Sequence, residues 1–166
     1  MQSNLIDEFK EGTKSSYVVY EETNSVKLFA FGDSYADTGN FLSAPSYALP
    51  YGITYPGKPT GRFSDGRILT DYVASFMKIE SPATLHSIMF GSSESKYGVN
   101  FAVGGTGVYD TMVHGPNMTT QIDYFEELLR QNLYTKTDLE SSIALVSVAG
   151  VRGVNCSTDK AIVIKY

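Results

Sequence analysis

The sequence predicts an α/β fold, a three-layer α/β/α sandwich in which a parallel sheet lies between two layers of helices. Three apolar segments that each end at a glycine are typical of buried strands, and amphipathic segments lie between them. Strands and helices in the order βαβαβ form parallel sheets with helices on both faces. With 166 residues, 42% of them hydrophobic, the chain can bury one such core.

The first predicted strand is the apolar run 26–31, which stops at Gly32-Asp33-Ser34. The polar residues before it, 1–25, are predicted to form a loose N-terminal arm. Ligands bind at the carboxyl ends of the strands in open α/β sheets, so the turn after this strand is a candidate site. Ser34 is its candidate nucleophile.

A long loop is predicted over residues 43–66, because prolines and glycines are too dense there for a regular element. Its aromatic side chains favour an ordered loop that packs on itself; they are Tyr47, Tyr51, Tyr55 and Phe63. A helix is predicted over 66–77, with Ser64 or Asp65 as its cap. Its predicted buried face consists of Ile68, Leu69, Tyr72, Val73 and Phe76.

Another loop is predicted over 80–96, followed by a strand over 97–103 that ends at Gly104-Gly105. The next helix is predicted over 119–132, because Thr120 and Asp123 have capping-box spacing. Its predicted buried face consists of Ile122, Phe125, Leu128 and Leu129. Residues 143–149 form the third strand, and the short apolar run 161–164 is a further strand that could cover a sheet edge.

Composition excludes several classes of function. The net charge of -5 argues against a nucleic acid or an anionic membrane surface as a partner. No apolar run is long enough to span a membrane, and the single cysteine, Cys156, excludes an intrachain disulfide.

Three chemistries are compatible with the Gly-Asp-Ser turn: acyl transfer by Ser34, phosphate binding as in flavodoxin-like or P-loop proteins, and a turn with no chemistry. The sequence has no GxxxxGK[ST] string, and the stretch from Gly105 to Asp110 lacks the last glycine of a GxGxxG fingerprint.

The motif FGDSYADTGN resembles the first block of the plant GDSL esterase/lipase family, also called SGNH hydrolases, with Tyr35 in place of the usual leucine. Four further segments are similar to that family in the family's order: PYGITYPGKPTGRFSDGRILTDYVA, YGVNFAVGGTGVYD, GPNMTTQIDYF and SSIALVSVAG. The resemblance covers residues 26–150 and implies the flavodoxin-like SGNH hydrolase fold.

The resemblance implies hydrolysis of carboxylic esters, lipid or acetyl esters included. Ser34 is then the nucleophile, and the backbone N–H groups of Ser34 and Gly105 stabilise the oxyanion, with Gly104 as the neighbour if the register slips. The implied partner is a small-molecule or lipid ester, and no metal or organic cofactor is implied.

The chain departs from the family pattern after Gly150. Val151-Arg152 stands where the family has the Asn-Asp of its third block, and the Asp-x-x-His motif of the family is absent. The two histidines, His86 and His114, are predicted to be exposed loop residues and not catalytic bases. We therefore expect a truncated domain that is weak or inactive as an esterase, with residues 151–166 as an aberrant tail.

Two alternatives remain open at this point: a non-catalytic fragment that binds a ligand or a full-length relative, and a flavodoxin-like binder of phosphate or flavin. The compartment also stays open, because the family is usually secreted and the N-terminal residues do not form a signal peptide as written.

Overall fold

The computed structural model describes residues 26–91 and 94–148, and the backbone of a strand at 160–165. In chain order, the elements are β1 (Leu28–Gly32), α1 (Leu69–Phe76), β2 (Ala83–Thr84), α2 (Leu85–Met89), β3 (Val99–Asn100), α3 (Met118–Arg130), α4 (Lys136–Glu140), β4 (Ile143–Val148) and β5 (Lys160–Lys165). A short 3-10 helix covers Pro45–Tyr47. The α/β fold expected from the sequence is confirmed.

The strands form one sheet in the order β2-β3-β1-β4-β5. The first four strands of this order are parallel, and β5 is antiparallel to β4. β1 lies at the centre, where Ala30 is level with Asn100 of β3 and with Leu145 of β4. The apolar run predicted at 161–164 therefore lies in a strand that covers the free edge of β4.

Alternate side chains of β1 face opposite layers, as the period of a strand requires. Phe29 and Phe31 pack on the α3 side, in a cluster that includes Phe101 and Leu128. Leu28 and Ala30 face the other side, where Ala74 of α1 completes a second cluster. All the residues of β1 are buried, so the sheet is covered on both faces at its central strand, as the predicted sandwich requires.

An apolar cleft of about 680 Å³ remains open on the α3 side of the sheet. Ile122 and Phe125 of α3 form one wall, Leu139 of α4 forms another, and Val146 of β4 lies in the floor. α3 and α4 thus leave part of the apolar surface beside β4 uncovered.

The cap predicted for α1 is wrong, and its predicted buried face is confirmed only in part: Ile68 is buried and Leu69 and Val73 pack against the core. Ile68 is the N-cap residue, and the carboxylate of Asp71, not Ser64 or Asp65, accepts its N–H at 3.0 Å. Tyr72 and Phe76 are 60% and 88% exposed, whereas Thr70, Asp71 and Ala74 are buried. The helix packs through its smaller and more polar side because that side faces both the sheet and the turn after β1.

The cap predicted for α3 is also wrong. Asn117 is the N-cap residue and accepts the Thr120 N–H at 3.0 Å, so Thr120 occupies the third helical position and is not the cap. Leu128 is buried as expected, but Ile122 is 44% exposed, at the rim of the apolar cleft.

Of the two long loops predicted from the sequence, one contains regular structure and the other is an ordered loop. Residues 80–96 were wrongly predicted to lack regular structure, because β2 and α2 lie there; Thr84 caps α2 by accepting the Ser87 N–H at 3.1 Å. The loop at 43–66 is ordered as expected, with the rings of Tyr51 and Phe63 in edge-to-face contact at 6.2 Å.

Within the described residues, no helix has the length and apolar character needed to cross a membrane. The N-terminal arm at 1–25 and residues 151–159 of the predicted tail lie outside the described residues.

Candidate active site

The candidate site begins where β1 ends, at the turn Gly32-Asp33-Ser34. Gly32 has φ of +133°, and a Cβ at this position would lie 1.7 Å from the carbonyl oxygen of Ser147 in β4. The Asp33 N–H donates to that same oxygen at 3.2 Å. Only glycine therefore lets the chain turn this close to β4, and the turn presents Ser34 at the carboxyl edge of the sheet.

Buried polar side chains hold the residues that follow Ser34. The carbonyl oxygen of Ala36 accepts hydrogen bonds from Thr70 Oγ1 and from Asn100 Nδ2, both at 2.7 Å. Thr70 and Asn100 are both fully buried. The carbonyl oxygen of Tyr35 also accepts the Leu69 N–H at 3.3 Å. The turn is thus tied to α1 on one side and to β3 on the other.

Gln121 of α3 holds the beginning of the turn. Its Oε1 accepts the Gly32 N–H at 2.8 Å, and its Nε2 donates to the carbonyl oxygens of Gly32 at 3.0 Å and Pro116 at 2.9 Å. Its side chain is fully buried. One amide therefore satisfies both backbone groups of the residue at which β1 ends, which fixes α3 relative to the site.

Asp37 links the turn after β1 to the loop after β3. Its Oδ1 accepts the N–H groups of Gly39 at 2.7 Å and Asn40 at 2.6 Å, and its Oδ2 accepts the Gly104 N–H at 2.8 Å. The side chain is fully buried. Burial raises the pKa of the Asp37 carboxyl, and the N–H donors, led by that of Asn40, oppose this rise.

The two glycines after β3, Gly104 and Gly105, differ in the hydrogen bonding of their N–H groups. The Gly104 N–H is taken by Asp37, whereas no hydrogen-bond acceptor for the Gly105 N–H is found among the described residues. The Ser34 N–H likewise has none there. Because Val103 donates its N–H to the carbonyl oxygen of Gly32 at 3.0 Å, the two turns leave the sheet at the same edge.

A cleft of about 520 Å³ opens beside Ser34. Tyr35, Phe63, Leu69 and Tyr72 contribute apolar surface to it, and Arg67 contributes a charge. Ser34 is partly exposed, and no hydrogen bond of its Oγ is found within the described part of the chain. The site thus offers a hydroxyl, unused N–H donors and a binding surface.

The two histidines lie away from this cleft. His86 is in α2, half-buried, with its ring 4.5 Å from that of Phe90, so the prediction that it is an exposed loop residue was wrong. His114 is an exposed loop residue, as expected. Neither histidine is among the residues that line the cleft beside Ser34. No cluster of three or more potential metal ligands occurs within residues 26–91 and 94–148.

An ion pair stabilises the wall of the cleft. Nε and Nη2 of Arg62 donate to the two carboxylate oxygens of Asp71, at 2.9 and 2.8 Å, and Ser81 Oγ donates to Asp71 at 2.6 Å. Burial raises the pKa of Asp71, but the hydrogen bonds from Arg62, Ser81 and the Ile68 N–H outweigh it, so the pKa lies below its ordinary value.

Residues 28–150 match the GDSL-like lipase/acylhydrolase family. The chain belongs to this family. It is 51% identical over 144 residues to a GDSL esterase/lipase of Arabidopsis thaliana, an alignment that covers 84% of this chain and 40% of the relative. A second Arabidopsis GDSL esterase/lipase is 49% identical over 147 residues, covering 84% of this chain and 42% of the relative.

Acetylajmalan esterase 2 of Rauvolfia serpentina is 34% identical over 150 residues, which cover 77% of this chain and 41% of that protein. The chain therefore spans about two fifths of the length of these GDSL relatives. The resemblance to the GDSL esterase/lipase family that the sequence predicts is confirmed.

The sequence predicts Ser34 and Gly105 as candidate site residues but does not reveal the buried polar residues that hold their turns. Asn100 is a lone amide in an apolar strand, and Gln121 is a polar residue at the start of an amphipathic helix. Such residues are the available signal, because a polar side chain at a core position needs a specific partner. Their partners lie 64 and 89 positions away in the chain, beyond the reach of local patterns.

Proposed function

We propose that this chain is the nucleophile-bearing part of a carboxylic-ester hydrolase, in which Ser34 carries out acyl transfer. The observation that carries the proposal is the position of Ser34, on a glycine-dependent turn at the carboxyl end of the central strand and at the mouth of a cleft. Membership of a lipase/acylhydrolase family supports the ester bond as the bond that is cleaved.

In the proposed reaction, Ser34 Oγ attacks the carbonyl carbon of the ester, and the carbonyl π electrons move to its oxygen. The N–H groups of Ser34 and Gly105 then donate to the oxyanion; the absence of other acceptors for them among the described residues supports this role. The Ser34 proton passes to water. Collapse of the tetrahedral intermediate breaks the bond to the alkoxide, which takes up a proton from water and leaves as the alcohol. Attack of a second water molecule then releases the acyl group as the acid and restores the Ser34 hydroxyl.

The serine proton needs a base, and none of the described residues that line the cleft is a histidine or a carboxylate. Loss of the base from a serine hydrolase costs several orders of magnitude in rate. The proposed activity of this chain on its own is therefore weak, and its main signature is a serine that reacts with an electrophile.

The test is covalent labelling of the full chain with an alkyl fluorophosphonate, followed by peptide mass spectrometry, together with turnover of 4-nitrophenyl acetate. We expect labelling at Ser34 that Ser34→Ala abolishes and Ser75→Ala leaves unchanged, since Ser75 is exposed on α1 and does not line the cleft. Labelling of another serine, or turnover equal in the native chain and Ser34→Ala, would contradict the proposal.

A second candidate function is association with the polypeptide that follows the matched region in GDSL relatives. The apolar cleft beside β4 favours it, because the family match ends at residue 150, just beyond β4, and the relatives are more than twice the matched length. Apolar surface left open at this place fits a segment of the relatives' remaining chain, packed with an apolar face on the sheet.

Co-expression with the C-terminal part of the Arabidopsis relative tests this association. We expect the two polypeptides to purify together, and Ile122→Glu at the rim of the apolar cleft to prevent it. Tyr124→Glu is the matched control, since Tyr124 is on the same helix and similarly exposed, 40% against 44%, but does not line the cleft. Equal recovery of the partner with both variants would contradict the association.

A further inference from the structure

We propose that Arg67 makes the cleft beside Ser34 selective for esters that carry a second, anionic group. This inference rests on the proposed function, because it takes the Ser34 cleft as the substrate site. Arg67 lines the same cleft as Ser34 and, among the described residues, is the only charged one that does so. In a chain with net charge -5, this places a positive charge at the one surface where an ester would bind.

The guanidinium of Arg67 is held in place by an aromatic ring. It lies 4.7 Å from the centroid of the Tyr55 ring, and the backbone of Tyr55 is fixed by its N–H, which donates to the carbonyl oxygen of Asp65 at 3.1 Å. The neighbouring Thr54 N–H donates to the same oxygen at 2.7 Å. Stacking on a fixed ring restricts the guanidinium while leaving its N–H groups available.

Arg62 and Arg67 lie close to the same ring, but only one of them is neutralised. Arg62 lies 5.5 Å from the Tyr55 centroid and is paired with both oxygens of the buried Asp71. Arg67 forms no ion pair with any carboxylate of the described residues. The positive charge of Arg67 is therefore available to a ligand, whereas that of Arg62 stabilises the loop.

The remaining surface of the cleft defines the shape of such a ligand. Leu69, Tyr72 and Phe63 line it with apolar groups, which suit a short hydrocarbon chain between the ester and the anionic group. A planar guanidinium binds a carboxylate through two parallel N–H···O bonds. The chemistry thus fits monoesters of short dicarboxylic acids, or other esters with a carboxylate at the far end of the acyl or alcohol part.

Binding of two matched ligands to the Ser34→Ala chain tests the proposal without requiring turnover. The ligands are monomethyl glutarate, which has a free carboxylate, and dimethyl glutarate, in which that carboxylate is capped. Amide chemical shifts of residues 63–72 report occupancy of the cleft. We expect the anionic ligand to bind about fivefold more tightly, as for a partly exposed ion pair, and the preference to decrease at high salt.

Two further substitutions identify the source of the preference. Arg67→Gln in the Ser34→Ala background should abolish it, and Arg67→Lys should retain part of it because the charge remains. Lys58→Gln removes an exposed charge from the same loop, outside the cleft, and should leave the preference unchanged. An unchanged amide spectrum outside the loop verifies that each variant folds.

Equal binding of the two ligands, absence of saturable binding, or a preference that survives Arg67→Gln would overturn the proposal. The proposed hydrolysis is tested separately. If the chain prefers the anionic ligand but is not labelled at Ser34, the inference about Arg67 stands and the proposal that Ser34 is the nucleophile is contradicted. If the chain is labelled at Ser34 but binds the two ligands equally, the proposal for Ser34 stands and the inference about Arg67 is contradicted.

Discussion

The carboxylate of Asp37 accepts the N–H of Gly104 at 2.8 Å and so joins the turn after the central strand to the loop after its neighbour. This bond uses the Gly104 N–H and leaves that of Gly105 available. The same carboxylate holds Gly39 and Asn40. A single buried acid thus positions the backbone on both sides of the candidate oxyanion site.

Replacing Asp37 tests this link. In Asp37→Asn, Oδ1 can still accept from Gly39 and Asn40, but the amide nitrogen would face the Gly104 N–H, donor against donor. We expect a loss of about 2 kcal/mol in the free energy of unfolding, the cost of a buried donor without a partner. Asp37→Ala removes all three bonds and should cost more. Urea unfolding followed by circular dichroism measures both; equal stability of the native and Asn variants would refute this role for Asp37.

Gln121 provides a second test, because its two ends have opposite hydrogen-bonding roles. Gln121→Glu keeps the acceptor for the Gly32 N–H but turns an oxygen toward the carbonyl oxygens of Gly32 and Pro116, where Nε2 now donates. We expect a loss of about 3 kcal/mol at neutral pH from repulsion and desolvation.

This loss should depend on pH. The introduced carboxyl, buried and facing carbonyl oxygens, is expected to have a native pKa above its unfolded value. The variant should then approach the native protein in stability at low pH and lose stability as the pH rises through that raised pKa. Urea midpoints of both proteins at several pH values measure this; a difference that is constant with pH would contradict it. Gln121→Leu is the control, since its deficit should not vary with pH in this way.

Local sequence patterns predict the strands well, because a strand that is buried on both faces is apolar at every position. In β1, large side chains at 29 and 31 alternate with smaller ones at 28 and 30, and all are apolar, as in a strand covered on both sides. The glycine at its end predicted the turn that presents Ser34. These features depend only on residues adjacent in sequence.

Burial in α1 could not be predicted in the same way. Tyr72 and Phe76 fit an apolar stripe by spacing, yet the helix buries Asp71 because Arg62, on a preceding loop, neutralises it. The polar contacts of Thr70 to Ala36 and of Gln121 to Gly32 likewise join distant parts of the chain. A pattern of apolar residues has no information about such partners, so the sequence predicted Ser34 as the candidate nucleophile but not the groups that position its turn.

The ion pair between Arg62 and Asp71 predicts how the stability of the protein changes at acidic pH. Because the pKa of Asp71 is lowered in the folded protein, its stabilising effect is present above the ordinary value of 3.8 and is lost as the pH falls through the native pKa. At pH 6, Asp71→Asn should cost about 3 kcal/mol, since it leaves Arg62 without its charge partner in a largely buried place.

The measurement is the difference in unfolding free energy between the native chain and Asp71→Asn at pH 6 and at successively lower pH. We expect this difference to shrink below the ordinary pKa, where the Asp71 carboxyl of the unfolded chain takes up a proton while that of the native chain is still ionised. Lys136→Gln is a surface control, because its ion pair with Glu140 is exposed and should contribute little at any pH. A difference for Asp71→Asn that grows on acidification would contradict the ion-pair explanation.

Two effects oppose a side chain at Gly105, backbone strain and a close contact with Val113, and substitutions can separate them. Its φ is +85°, and a Cβ built on it would lie 2.7 Å from Cγ2 of Val113. Gly105→Ala should therefore cost about 1 to 2 kcal/mol from backbone strain, with a further cost from the contact. Val113→Ala in the same chain removes Cγ2 and Cγ1, which lie 2.7 and 3.3 Å from that Cβ, but keeps the Cβ of residue 113 at 3.2 Å and leaves the strain. We expect the double variant to recover part, and not all, of the stability lost in Gly105→Ala.

The same pair of variants bears on the oxyanion site. If the Gly105 N–H stabilises the oxyanion, displacement of its backbone should slow fluorophosphonate labelling of Ser34, and Val113→Ala should restore part of that rate along with the stability. Val113→Ala alone is the control and should label at nearly the native rate. Recovery of stability without any recovery of labelling would mean that the strain itself moves the N–H. An unaltered labelling rate in Gly105→Ala would remove Gly105 from the site, because a donor that contributes to the reaction cannot be displaced without effect.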